Sequence, residues 1–194
     1  GVAKALQYSS RRDYLLNFSQ IEHPIALQVG GDDPKLLADA TKMAEDWGYD
    51  EITLNVGCPS PRVQKGNFGA CLMACPDQVA RCIESMTKVS DLPVTIKHRI
   101  GIDNHDDNEF LKEFVFQVSE AGAKRFAIHA RKAWLKGLNP KQNRTIPPLE
   151  YEKVEKLKKT FPKLIIELNG GLKTPEDCIN ALKTFDGAMV GRAA

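Results

Sequence analysis

Long apolar stretches are missing from this chain. Across its 194 residues no run of about 18 apolar residues occurs, which excludes a transmembrane helix. The opening GVAKALQYSSRRDY also lacks the extended apolar core of a secretory signal, so the cytoplasm is the expected location. Cysteine is sparse and odd in number: Cys58, Cys71, Cys75, Cys82 and Cys178 do not make a disulfide framework, and thiols in a reducing compartment are expected instead. No C-x-x-C and no second knuckle are present, so a structural zinc site is not expected and the metal assignment is none. Charge of one sign is not in excess either. The formal net charge of +2 does not by itself announce a nucleic-acid binder. Internal repeats and low-complexity linkers are absent, and a 42% hydrophobic, 27% charged composition is that of an ordinary globular domain with a sizeable core.

What is present is an alternation. Short runs rich in Val, Ile and Leu recur as IALQVG (25–30), ITLNVG (52–57), VTIKHRI (94–100), RFAIHA (125–130), LIIELNG (164–170) and GAMVG (187–191). Each is too short for a typical helix and suits a strand buried on both faces. Helix signals lie between them. Asp33-Pro34 opens a segment with Leu36, Leu37, Ala40, Met43, Ala44 and Trp47 on one face, and Gly48 closes it. Cys75-Pro76-Asp77 starts another, with Val79, Ile83 and Met86 inward. A third runs from Asp107 to Gly122, and Thr174-Pro175-Glu176-Asp177 approaches a capping box ahead of Ile179 and Leu182.

Strict alternation implies right-handed βαβ crossovers, hence an α/β fold that is either a doubly wound open sheet or a (β/α)8 TIM barrel. The position of the polar residues favours the barrel. Gln28, Asn55 with Cys58, Lys97 with Arg99, His129 with Arg131, Asn169, and Gly191 with Arg192 stand at or just beyond the C-terminal ends of six strands, and only a barrel gathers all such ends around one mouth. Six strands are countable where an intact barrel has eight, and the first 24 residues offer no strand. A partial barrel of about six βα units, lacking its first strands, is expected over residues 1–194.

Several of these residues have a plain structural reading beside a chemical one. Cys58, between Gly57 and Pro59, is presented at a strand end as reactive thiols are, yet a buried cysteine also serves as a small hydrophobe. Lys97 interrupts an apolar strand and shares a face with Thr95 and Arg99. It points either inward to an anionic or electron-rich ligand or outward from an edge strand. His129 is a satisfied core histidine or a ligand contact. LNGG (168–171), including Gly170 and Gly171, and VGR (190–192) end successive strands in glycine, as phosphate cradles after the last two barrel strands do. From Ala130 to Arg144 the cations Arg131, Lys132, Lys136, Lys141 and Arg144 occur with no acid, around Trp134; taken alone this is a solvated loop.

With these residues assembled, LNVGCPSPRVQKGNFGACLM resembles the signature of the tRNA-dihydrouridine synthases. The likeness continues through ALQVGGDDP, VTIKHRIGIDN, LNGGLKTPEDC and DGAMVGRAA, and HARKAWLKGLNPKQNR is similar to the bacterial A-type subgroup. The resemblance implies a TIM barrel holding FMN at its mouth, followed by a small helical tRNA-binding domain that this chain lacks. It also implies NADPH as reductant of the flavin and reduction of C5=C6 in a D-loop uridine of tRNA, at position 20 or 20a by subgroup. On matching positions, Cys58 is the proton donor and Asn55 orients the uracil or flavin. Gln28, Lys97 and His129 match flavin-ring contacts; Asn169, Gly170, Gly171, Gly191 and Arg192 match the phosphate side. Arg131 stands between flavin and RNA, and Lys132, Trp134, Lys136 and Arg144 are given to the tRNA. The chemistry agrees, because reducing that double bond requires a hydride no side chain can supply and a proton that a thiol can. Two other readings remain open: a flavin barrel acting on free pyrimidines, of the dihydroorotate dehydrogenase kind, and a flavin-free RNA-binding relative.

Overall fold

The computed structural model describes residues 2–8 and 12–194. Two short helices, α1 (Val2–Tyr8) and α2 (Arg12–Leu16), precede six strands: β1 (Ala26–Val29), β2 (Glu51–Val56), β3 (Val94–Arg99), β4 (Arg125–His129), β5 (Ile165–Asn169) and β6 (Gly187–Met189). The strands form one parallel sheet in sequence order, with β1 and β6 at its edges. Helices α3 (Pro34–Asp46), α4 (Pro61–Lys65), α5 (Pro76–Thr87), α6 (Asn108–Glu120), α7 (Tyr151–Thr160) and α8 (Pro175–Ala181) fill the crossovers. An all-parallel sheet in this order, with helices in every crossover, is six units of a (β/α)8 barrel. Among the described residues no helix is long and apolar enough to cross a membrane.

The helix boundaries follow the local chemistry. Asp33 caps α3, its carboxylate accepting from the Lys35 and Leu36 amides at 2.9 and 3.2 Å, and Gly48 leaves the helix at φ +82°. At α8 the capping box is complete: the Asp177 amide donates to Thr174 Oγ1 at 3.1 Å, and Asp177 Oδ2 accepts from the Thr174 amide at 3.0 Å. Ile179, and Leu182 just past the helix, are 60% and 53% exposed, and Ala181 is the residue α8 buries. Helix α7 was not expected. Its YEKVEKLKKT sequence buries only Val154 and Leu157, too few apolar positions to stand out as a period.

Alternation along the strands separates two layers. Ile52, Leu54, Ile96, His98, Phe126, Ile128, Ile166 and Leu168 are buried in the core beneath the helices. On the opposite face Thr53 and Thr95 hydrogen bond at 2.9 Å, and Arg125 pairs with Glu51 at 2.6 Å and Glu167 at 3.4 Å. These pairs lie toward the strand N-termini and hold the inner layer together. The register then carries the functional residues to the other end: Gln28 lies beside Thr53, Asn55 beside Lys97, Arg99 beside His129, and His129 beside Asn169.

His98 belongs to the outer layer and is structural. It is fully buried, 5.0 Å from the Phe114 ring, and Nδ1 meets the Arg99 carbonyl at 2.7 Å.

Candidate active site

The polar ends of β1 and β2 meet each other, and those of β3 to β6 line a common hollow. Asn55 Nδ2 donates to Gln28 Oε1 at 2.8 Å, while Asn55 Oδ1 accepts from the Gly57 amide at 3.0 Å. One side chain thereby aligns the neighbouring strand end and the turn that presents Cys58. That thiol is half-buried and close enough to Lys97 and Arg99 for its charge to be felt by both. Next along the sheet a hollow of about 720 Å³ is lined by Lys97, His129, Arg131, Arg144, Asn169, the 170–173 turn and the 189–193 strand end. Gln28, Asn55 and Cys58 flank it through Lys97.

Cations dominate this mouth. Burial, then the Arg99 guanidinium, pushes Lys97 down to about 8, and burial pushes Arg99 down to about 10. Burial, followed by the charges of Arg99, Lys97, Arg131 and Arg192, pushes His129 down to about 3. Burial likewise takes His98 down to about 4. Both histidines have folded values below the ordinary 6.5, so the stability they contribute is complete above that pH and is lost as pH falls toward 4 and 3. Their imidazole resonances should therefore keep the neutral chemical shift down to a pH of about 5. A midpoint near the ordinary value would contradict the burial that sets it.

Three buried nitrogens around the hollow have no partner among the described residues: the Arg131 Nε and Arg144 Nε donors and His129 Nδ1. Leaving such groups dry is costly, so the hollow is built for a guest rich in acceptors. The glycines make room for it. Gly170 and Gly171 have φ of +100° and +81°, and a Cβ on Gly170 would come within 3.1 Å of the His129 ring. Tyr151 Oη fixes that turn by donating to the Gly170 carbonyl at 2.8 Å, and Asn169 Nδ2 holds β6 through the Met189 carbonyl at 2.8 Å. Gly191 and Arg192 are exposed at the rim, and nothing lies within 4 Å of where a Gly191 side chain would begin. A second hollow of about 780 Å³ lies at the N-terminal ends of the strands. Its Glu51 and Arg125 are already paired, and it has none of the orphaned donors.

The basic loop is ordered rather than merely solvated. Lys132 is committed to Asp106 at 2.8 Å and lies 4.4 Å from the Trp134 ring centre, covering one face of the indole. Arg131 donates to the Pro147 carbonyl. Lys136 is exposed, whereas Arg144 is half-buried. Asn143 explains the order: completely buried, it accepts from the Trp134 amide at 2.7 Å and donates to the Trp134 carbonyl at 2.9 Å. Sequence reasoning assigned no role to Asn143, since an asparagine in a polar loop carries no periodic signal. Arg99 was placed on the Lys97 face but given no function; the structure buries it to 4% exposure and makes it a hub. Of the other cysteines, Cys82 is buried, with burial taking its thiol up to about 12, and Cys71 and Cys178 are half-buried. Cys75 is exposed because it precedes Pro76 at the start of α5, outside the helical face that packs.

A tRNA-dihydrouridine(20/20a) synthase from Synechocystis sp. is 60% identical over 192 residues, 99% of this chain and 57% of the relative. The protein of the same name from Pasteurella multocida is 58% identical over 179 residues, 92% of this chain and 55% of the relative. The chain thus spans a little over half the length of these curated relatives. Among solved structures, a mandelate oxidase superposes with a TM-score of 0.60 at 17% identity, covering 92% of this chain and 53% of the oxidase. A 2-naphthoyl-CoA reductase does so with a TM-score of 0.62 at 13% identity, over 80% and 26% respectively. At such identities the likeness concerns the fold alone. The family model for dihydrouridine synthases, however, matches residues 2–194, and the chain belongs to that family.

Proposed function

We propose that the protein is a tRNA-dihydrouridine synthase. It reduces the C5=C6 bond of a D-loop uridine, at position 20 or 20a, with FMN at the barrel mouth and NADPH as reductant. The observation that supports this best is a half-buried thiol flanking a cation-lined hollow whose buried donors await acceptors. The residues present fit FMN. Lys97, His129 and Gln28 would face the ring system, and Asn169, the Gly170-Gly171 turn, Gly191 and Arg192 the phosphate end. The hydride that no side chain can provide is what the flavin supplies when bound.

The chain's own residues do the rest. Asn55, fixed at both ends of its amide, orients the planar base beside Cys58. Cys58 Sγ gives its proton to C5, and the thiolate left behind lies next to Lys97 and Arg99, whose charges stabilise it until solvent returns the proton. His129, held neutral, keeps a nitrogen available for hydrogen bonding rather than a second buried charge. Outside the hollow, the basic loop meets the tRNA backbone, with the half-buried Trp134 available to a base.

The test is direct. Purified full-length protein should show flavin absorbance, release FMN on denaturation, and convert undermodified tRNA to dihydrouridine in the presence of NADPH, read by mass. Colourless protein giving no product would refute the proposal. The loop has its own prediction. Lys136 and Lys141 are exposed and unpaired among the described residues, so replacing both by alanine should weaken tRNA binding and lower its salt slope by about one for each phosphate no longer neutralised. Lys132→Ala should reduce that slope less, because Asp106 already neutralises it. Unchanged affinity and slope in the double variant would remove the loop from the tRNA interface.

A further inference from the structure

Three consecutive carbonyls around the thiol are each held by a donor. The Gly57 carbonyl accepts from Arg99 Nε at 2.9 Å, the Cys58 carbonyl from the Ala70 amide at 2.9 Å, and the Pro59 carbonyl from Gln64 Nε2 at 2.8 Å. The two side chains that grip the flanking positions also grip the basic loop. Arg99 Nη1 donates to the carbonyls of Lys132 at 3.1 Å and Asn143 at 3.0 Å, and Gln64 Nε2 donates to the carbonyl of Leu135 at 2.8 Å. The residue before Cys58 and the residue after it are therefore each one side chain away from the loop that carries Lys132, Trp134 and Arg144.

From this geometry we propose that Gln64 and Arg99 are positioning residues: a paired brace that fixes the Cys58 backbone relative to the basic loop, so that seating RNA on the loop and aiming the thiol are one event. Gln64 acts without touching the reacting atoms, whereas Arg99 braces the backbone in addition to lending its charge to the thiolate. Gln64 is on α4, outside the hollow, and its amide spends both hydrogens on the two carbonyls it bridges. Arg99 supplies the same function from beneath, with its planar fork spread over carbonyls 42, 33 and 44 residues away in sequence. The loop end of the brace is itself rigid. The Ala133 amide donates to the Gly101 carbonyl at 2.9 Å, the Asp103 amide to the Ala133 carbonyl at 2.8 Å, and the Leu135 amide to Asp103 Oδ1 at 2.8 Å. A loop so tied transmits displacement instead of absorbing it.

The catalytic part of this inference rests on the function proposed above; the mechanical part does not, and the test separates them. In the full-length protein, Gln64 is replaced by Met, which keeps length but has no donor, by Glu, which sets an acceptor against two carbonyls, and by Lys, which restores donors. Iodoacetamide alkylation of each cysteine is followed by peptide mass, alongside steady-state dihydrouridine formation. Gln64→Met and Gln64→Glu should raise the alkylation rate of Cys58 and leave buried Cys82 protected. They should lower kcat about tenfold to a hundredfold, as a displacement of order 1 Å does, with KM for tRNA within about twofold. Gln64→Lys should recover both readouts. A wild-type Cys58 rate in Gln64→Met would overturn the brace, as would equal impairment of the Met and Lys variants. A parallel gain at Cys82 would show general loosening and likewise overturn it. If the wild-type protein forms no dihydrouridine, the functional proposal fails while the alkylation pattern still decides the brace.

Discussion

Replacing Cys58 by alanine should reduce dihydrouridine formation by at least about a hundredfold, the usual scale for loss of a positioned proton donor. The protein should still bind its flavin, because the groups assigned to that task are on other strands and the thiol only flanks the hollow. The effect should fall on kcat. Asn55 keeps its bonds to Gln28 and Gly57 without the sulfur, and the Cys58 carbonyl keeps its bond from the Ala70 amide, so the site stays assembled but cannot deliver its proton. Flavin reduction by NADPH measured alone should be unchanged. Equal product from wild type and Cys58→Ala would take Cys58 out of the reaction, and Lys97, the nearest group near neutrality, would become the acid to test.

The largest loss of stability is expected at Phe114. Its side chain is 1% exposed on α6, with its ring 5.0 Å from that of His98, and it forms part of the layer between helix and sheet. Phe114→Ala removes that packing and leaves a cavity lined by side chains that cannot collapse into it, at a cost of about 3–5 kcal/mol. Phe116, two residues along the same helix, is 49% exposed, and its replacement by alanine should change stability by no more than about 0.5 kcal/mol. Urea unfolding of the two variants isolates burial from composition, since the same atoms are deleted from the same helix. Comparable losses would mean that α6 does not pack on the face described.

Much of the architecture was legible because its signals are local. Asp33-Pro34 and Gly48 delimit α3, and Thr174-Pro175-Asp177 starts α8, each by satisfying backbone groups within a turn of itself. Strand ends were readable because polar residues such as Asn55, Lys97 and His129 interrupt apolar runs where burial would otherwise forbid them. Segments with weak local signals went unseen. Helix α7 has only two buried apolar residues, and no local signal announced that Ile179 and Leu182 would be exposed.

Within the site the division is sharper. The chain's linear order sufficed to say that six strands would bring a thiol, an amide, a lysine, an imidazole and two glycine turns to the same side, because a two-residue period and a parallel register leave little freedom. It could not say what those groups would meet. The depression of Lys97 and His129 depends on burial and on cations contributed by other strands and loops. The brace through Arg99 and Gln64 and the clamp of Asn143 on Trp134 depend on which carbonyls the closed loops turn toward them. Backbone acceptors are identical in every residue, so no residue type marks the one that will be used; their selection belongs to three-dimensional closure alone.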